Sequence, residues 1–214
     1  GRDILSRIIY GSRVSISIGI VAQVIASIVG VTLGSLAGYY GGWIDNTISR
    51  IMEIFQAFPD LIFAMAIMTF LGKGVLNLFI ALGLLTWVRT ARMIRGSVMQ
   101  LKEKEYIEAS RACGASTYWI IMKGLVPNCL STIIVLVTLG IPNAIMYEAS
   151  LSFLGIGIQP PTPSWGNMIS AAQTFISYRP VYSIMPGVAI MITVIAFNIF
   201  GDGLRDALDP KLKN

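Results

Sequence analysis

The stretch VSISIGIVAQVIASIVGVTLGSLAG (residues 14–38) carries no charged side chain. A helix crosses the hydrocarbon core of a bilayer with about 20 mainly apolar residues, so this run is long enough to span it. Four more runs read the same way: about 48–71, with Pro59 and Asp60 inside it, then 75–90, 129–147 and 184–200. A transmembrane β-barrel would show alternating segments of about ten residues. These runs are continuous, and a helix satisfies its own backbone polar groups in lipid. The expectation is an all-α, polytopic membrane protein with five transmembrane helices in this chain.

Composition points the same way. Of the 214 residues, 55% are hydrophobic and 13% charged, and the mean hydropathy is +0.72. A soluble domain usually carries about a quarter charged residues. The net charge of +5 would suit nucleic acid in a soluble chain. In a membrane chain the placement of lysine and arginine sets topology instead, and no nucleic-acid partner is expected. There is no histidine, which removes histidine triads, imidazole proton relays and histidine-bound zinc. Cys113 and Cys129 lack metal-ligand spacing and read as ordinary reduced thiols.

Seven of the sixteen basic residues (Arg89, Arg92, Arg95, Lys102, Lys104, Arg111 and Lys123) follow the third run, which places that loop in the cytoplasm. Alternation then puts residues 72–74 and 150–183 outside and the C-terminus inside. With five crossings the present N-terminus falls outside, and a further span upstream would make six. Arg2, Arg7 and Arg13 also fall outside, against the charge rule; an amphipathic segment on the membrane surface would accommodate them.

Within the runs, Ala22, Ala26, Gly30, Gly34 and Gly38 recur every fourth residue. Such a stripe lets helix backbones approach closely, against this chain's own helices or against another subunit. Asp60 and Glu148 are acids in apolar runs, where a charge costs about 2.5–3.5 kcal/mol at the membrane centre. They are candidates to line a polar path, with Gln56 and Asn143 as weaker ones; interhelical pairing or a wet helix end is the alternative. The outer stretch GIGIQPPTPSWGNMISAAQ (residues 155–173) is stiffened by prolines, and its Trp165 suits a membrane-interface anchor. It reads as a lid, a docking surface or a re-entrant connection.

The polar segment KEKEYIEASRACGASTYWIIMKGLVPN (residues 102–128) is too long for a simple turn. Lys104, Glu108 and Arg111 stand at salt-bridging helical spacings. Gly114 ends the first helix, Ser116 caps a second over TYWIIMKGLV, and Pro127 leads back to the membrane. Two short helices at a small-residue elbow form a knob that fits a groove; a helix lying flat on the membrane is the other reading. A phosphate-binding loop needs G-x-x-x-x-G-K-[ST]. The nearest match, GKGV at Gly72, lacks both the spacing and the hydroxyl, so any ATP-driven work requires another chain.

EASRACGASTYWIIMKGLVP (residues 108–127) resembles the EAA loop of ABC-importer permeases, matching at Glu108, Ala109, Gly114 and Pro127. Ser110, Gly124 and Val126 depart mildly from that pattern. GRDILSRIIYGSRVS, AGYYGGWIDN, RIMEIFQAFP, EASLSFLGIGIQPPTPSWG and FNIFGDGLRDALDPKL together resemble the C-type permease of dipeptide, oligopeptide and nickel importers. The resemblance implies the MetI-like permease fold as one transmembrane domain over residues 1–214, with a sixth helix before GRD. It implies a bacterial inner-membrane location and a heterodimer with a B-type permease. Two cytoplasmic ATPases and an external substrate-binding protein complete the implied assembly.

The expected coupling loop covers about 96–127, with Glu108, Ala109, Ser110, Gly114, Ala115 and Pro127 against an ATPase. The chain itself is expected to be a transport subunit rather than an enzyme and to bind no cofactor, with ATP and magnesium held by the partner ATPases. Peptide is the expected cargo. Nickel or another small solute fits the same architecture, and a gradient-driven secondary transporter is the alternative from another class.

Overall fold

A computed structural model describes residues 3–208. The chain begins with a long helix, α1 (Ile4–Tyr40), capped by Asp3. The Asp3 carboxylate accepts from the backbone N–H groups of Leu5 and Ser6. The Ser6 hydroxyl and backbone amide hold its carboxyl below the ordinary aspartate value. At 1.5 Å per residue α1 is about 55 Å long, well beyond a hydrocarbon core of about 30 Å. Its first turns therefore project past the membrane. This corrects the expectation of a separate surface segment: Arg7 and Arg13 ride on the spanning helix itself. Arg7 donates to the Tyr182 hydroxyl at 3.3 Å, and Arg13 lies over the Tyr10 ring at 5.4 Å. Arg2 lies outside the described residues.

Gly41, at φ +65°, turns the chain into α2 (Gly42–Gln56), which is followed by α3 (Asp60–Leu71). The single straight span expected over 48–71 is in fact two helices bent by 92°. Pro59 has no N–H to continue the hydrogen-bond ladder, so α2 ends and α3 starts afresh with Asp60 in its first turn. The pair still crosses the layer. Ile48 and Met52 pack with Ala26, Ala37, Trp87 and Ala91, whereas Ala64 and Met68 pack with Ile18, Leu78 and Leu82 at the other end.

The next helix, α4 (Val75–Leu101), runs well past Thr90. A helix does not stop where apolar residues do, and Arg89, Arg92 and Arg95 sit on α4 rather than in a loop. The loop expected from 96 therefore begins after Leu101. Beyond it come α5 (Glu105–Ala112) and α6 (Thr117–Trp119), then a π-helical turn (Ile120–Leu125) and a 3-10 turn (Pro127–Cys129). The regular second helix expected over 117–126 is thus mostly a wide π turn. From there α7 (Leu130–Phe153) recrosses, α8 (Trp165–Ala172) lies in the outer segment, and α9 (Val181–Leu208) crosses last. Among the described residues four helices are long and apolar enough to span, or five crossings with α2 and α3 counted as one.

The most extensive packing joins α1 and α4, side by side and parallel. A Cβ on Gly30 would meet Trp87 and Thr90, one on Gly34 would meet Ala91, and one on Gly38 would meet Arg95 and Val98. The stripe of Ala22, Ala26, Gly30, Gly34 and Gly38 is buried along its whole length. It lets the two backbones touch, which is how helices gain dispersion contact where lipid supplies no hydrophobic drive. α7 runs antiparallel to α1: Gly19 faces Ile141 and Ile145, and Gly140 faces Gln23. The C-terminal ends of α1 and α4 share one side with the basic residues after α4, which marks that side as cytoplasmic.

Candidate functional site

Two features stand out, a polar cavity among the helices and an exposed elbow on the cytoplasmic side. The cavity measures ≈ 260 Å³ and brings together Gln56, Asp60 and Asn143. Gln23, Thr86, Arg89, Thr90 and Tyr147 also line it. Asp60 is exposed and lines the cavity, and the break at Pro59 puts it at a helix N-terminus, where the helix dipole favours an anion. The Tyr147 hydroxyl donates to Asp60 Oδ2 at 2.5 Å, tying α7 to α3. Gln23 is buried, and its amide nitrogen donates to Thr86 Oγ1 at 3.4 Å. Gly140 makes room for it, since a Cβ there would lie 2.3 Å from Gln23 Oε1. Arg92 donates to Gln56 Oε1 at the cytoplasmic end.

Glu148 is placed elsewhere. It is fully buried near the outer end of α7, where Ser15 and Ser152 donate to its two carboxylate oxygens. It does not line the cavity with the other three candidates. Sequence reasoning missed Arg89, Gln23 and Tyr147 as cavity residues. Gln23 was visible as the one amide in the charge-free first run; nothing local marked Tyr147.

Trp165 is likewise not a membrane-interface anchor. It is 3% exposed, with its indole N–H donating to Ile8 O at 3.1 Å and its backbone N–H to Ser15 Oγ at 3.3 Å. A capping box between Ser164 and Asn167 starts α8, and Gly166 lies against Ala149 and Ser152. The outer segment therefore turns back into the helix layer.

The elbow is built from backbone geometry. The Ala115 N–H donates to Ser110 O at 3.0 Å and the Gly114 N–H to Arg111 O at 2.9 Å, the pair of bonds that defines a Schellman cap. The cap needs a left-handed residue, and Gly114 has φ +79°. No atom lies within 4 Å of where its Cβ would be, so conformation and not crowding requires glycine there. The Ser116 hydroxyl accepts from the Trp119 N–H, capping the next turn. Glu108, Ala109 and Gly114 are exposed, Ser110 and Ala115 half-buried, and Pro127 is exposed at the start of the 3-10 turn. They surround a shallow depression with Cys113, Ser116 and Trp119, apart from Glu108 and Pro127. The salt-bridged face expected from Lys104, Glu108 and Arg111 does not form among the described residues. Arg111 lies over the Tyr39 ring at 5.2 Å instead. The elbow is held by Ile107, the buried residue of α5, which packs with Ile94, Val98, Ile120, Ile121 and Leu125.

A profile of the family described as the binding-protein-dependent transport system inner membrane component matches residues 30–214. The chain belongs to this family. The membrane component is 44% identical over its whole length to the glutathione transport system permease protein GsiD of Pectobacterium atrosepticum, covering 71% of that protein. It is 47% identical to the dipeptide transport system permease protein DppC of Alkalihalophilus pseudofirmus, again over all of this chain and 70% of the relative. Its fold superposes on a chain of the MetNI methionine ABC transporter in an inward-facing conformation. There the TM-score is 0.73 at 21% identity, with 98% and 99% of the two chains covered. A chain of an amino acid ABC transporter crystallised with histidines gives a TM-score of 0.70 at 16% identity. The fold is therefore shared with chains of these two transporters, and the family is one of inner-membrane transport components.

Proposed function

We infer that this permease forms half of the translocation path of an ATP-driven importer of di- or oligopeptides. The cargo reading is supported by whole-chain identities of 44% and 47% to permeases named for glutathione and dipeptide transport. Those cargoes are both short chains of amide-linked amino acids with free ammonium and carboxylate groups. A homologous second permease supplies the other half, two cytoplasmic ATPases bind ATP and magnesium, and an external binding protein delivers the peptide. The chain itself binds no cofactor and catalyses no reaction.

Coupling runs through the elbow. Glu108, Ala109, Ser110, Gly114 and Ala115 seat in a groove on one ATPase, and Pro127 fixes the direction in which the chain re-enters the membrane. ATP can drive transport only if it binds one arrangement of the assembly better than the other. A capped, rigid elbow transmits such a bias; a loose loop would absorb it. The Ile107 anchor ties the elbow to α4 and to the turn entering α7, so a push on α5 reaches the helices that line the cavity.

The test is reconstitution of the complete assembly in lipid vesicles with ATP on the ATPase side and labelled dialanine with its binding protein on the other. Uptake should require ATP, and Gly114→Val should leave ATP hydrolysis running while uptake falls about five- to thirtyfold, since a side chain forced to positive φ at the contact disturbs it at a cost of about 1–2 kcal/mol. Uptake driven by an ion gradient without ATP would sink the reading.

A further inference from the structure

The cavity lining includes one carboxylate, Asp60, and one guanidinium, Arg89. Asp60 Oδ2 accepts from Tyr147, whereas Oδ1 has no hydrogen-bond partner among the described residues. Arg89 lies one turn beyond Thr86 along α4, on the cytoplasmic side of the Gln23–Thr86 contact. Among the described residues the other two arginines of that file are engaged, Arg92 with Gln56 and Arg95 with Asp45. Arg89 makes neither an ion pair nor a hydrogen bond there. The same lining carries the amides and hydroxyls of Gln23, Thr86, Thr90 and Asn143 beside the apolar side chains of Phe55, Leu85, Val88, Leu136 and Leu139. A guanidinium and a carboxylate in one cavity with amides, hydroxyls and short apolar walls complement the carboxylate, ammonium, peptide bond and small side chains of a short peptide.

We propose that this cavity is a binding station for the free termini of a short peptide, with Arg89 taking the α-carboxylate and Asp60 the α-ammonium. The assignment rests on the peptide reading above and adds to it a selection step within the membrane, after the binding protein has released its cargo. The direction of travel follows from a second cavity that shares Gln56 and Arg89 and continues along Arg92, Ser97 and Gln100. Among the described residues its lining has cations and no acid. The carboxylate end therefore leads toward the cytoplasm, passed from Arg89 to Arg92.

The experiment compares uptake of dialanine, dialanine amide and N-acetyl-dialanine by the reconstituted complete assembly. Each permease variant is divided by wild type for the same peptide, so the binding protein's own preferences cancel. Arg89→Gln should lower kcat/KM for dialanine and N-acetyl-dialanine about tenfold, the scale of one lost charge-assisted contact, while dialanine amide changes less than about twofold. Arg89→Lys should recover most of the loss. Asp60→Asn should show the complementary pattern, sparing only N-acetyl-dialanine, and tests the station independently should one variant fail to assemble. Equal losses on all three peptides in both variants would mean that the two residues shape the helices only, and would overturn the station. A wild-type assembly that carries none of the three would instead overturn the peptide reading itself.

Discussion

The hydroxyl of Ser15 on α1 donates to Oε2 of Glu148 on α7 at 3.0 Å, joining side chains 133 positions apart. The other carboxylate oxygen accepts from Ser152 at 2.7 Å. Each serine also accepts a backbone N–H from the outer segment, Ser152 from Ile158 at 2.9 Å and Ser15 from Trp165 at 3.3 Å. One buried carboxyl group thus orients two hydroxyls, and those two hydroxyls hold the outer segment at Ile158 and Trp165. Glu148→Ala should cost about 3 kcal/mol, because it removes two buried hydrogen bonds and leaves two buried hydroxyls to find other partners. Thermal unfolding of the purified protein measures the loss, and proteolysis should become faster between Leu154 and Ser164. A variant as stable and as protected as wild type would show that the outer segment is held by packing alone.

Close approach of α1 and α4 makes a second prediction. A Cβ at Gly34 would lie 2.5 Å from the Ala91 carbonyl oxygen and 3.1 Å from the Ala91 Cα. Backbone cannot swing aside as a side chain can. Gly34→Leu should therefore destabilise by about 3 kcal/mol through overpacking. Gly96→Ala, where no atom lies within 4 Å, should leave stability unchanged or raise it by about 0.5–1 kcal/mol. The same melting experiment reads both, and similar effects at the two positions would contradict the stated geometry.

The start of α2 is tied to α4 by an ion pair. Arg95 Nη2 donates to Asp45 Oδ2 at 2.6 Å, and its Nε donates to the other oxygen. The side chains are 29% and 14% exposed, so solvent screens the pair only in part. Asp45→Ala should cost about 2 kcal/mol, between the values for exposed and buried pairs. Arg95→Lys should keep less than half of the coupling energy, since an ammonium cannot form the two parallel bonds of a guanidinium. A double-mutant cycle on unfolding free energies gives that coupling directly.

Ile107 offers a test of how rigid the elbow must be. It is completely buried and reaches the Gly124 backbone closely enough that a Cβ there would lie 2.9 Å from its Cδ1. Ile107→Ala removes the anchor of α5 at a cost of about 2–4 kcal/mol. Amide hydrogen exchange in α5 should accelerate, and peptide transported per ATP hydrolysed should fall. Faster exchange with an unchanged transport ratio would show that the elbow works without its anchor.

Several of these contacts are visible in the sequence only as single residues. The Gly34 stripe was legible because helical spacing is local: residues four apart share a face wherever the helix goes. The Gly114 elbow was legible for a similar reason, since a left-handed cap is a demand of the backbone at one position. Among the described residues Arg111 does not pair with Glu108, although both lie on α5 one turn apart. The Tyr39 ring, brought in from the end of α1, supplies an aromatic face that sequence spacing cannot reveal.

Hydropathy, helical periodicity and the special conformations of glycine and proline act over a few residues, so the sequence by itself determined the membrane class, the spanning runs, the α1 stripe and the elbow. Only the tertiary structure decided that the second run breaks by 92° at Pro59 and that Arg89 faces the cavity of Asp60 and Asn143. The same holds for the withdrawal of Glu148 into a hydrogen-bonded hub with Ser15. Each of these depends on where a distant helix lies, and helix placement follows from packing shapes and shared polar partners summed over the whole chain.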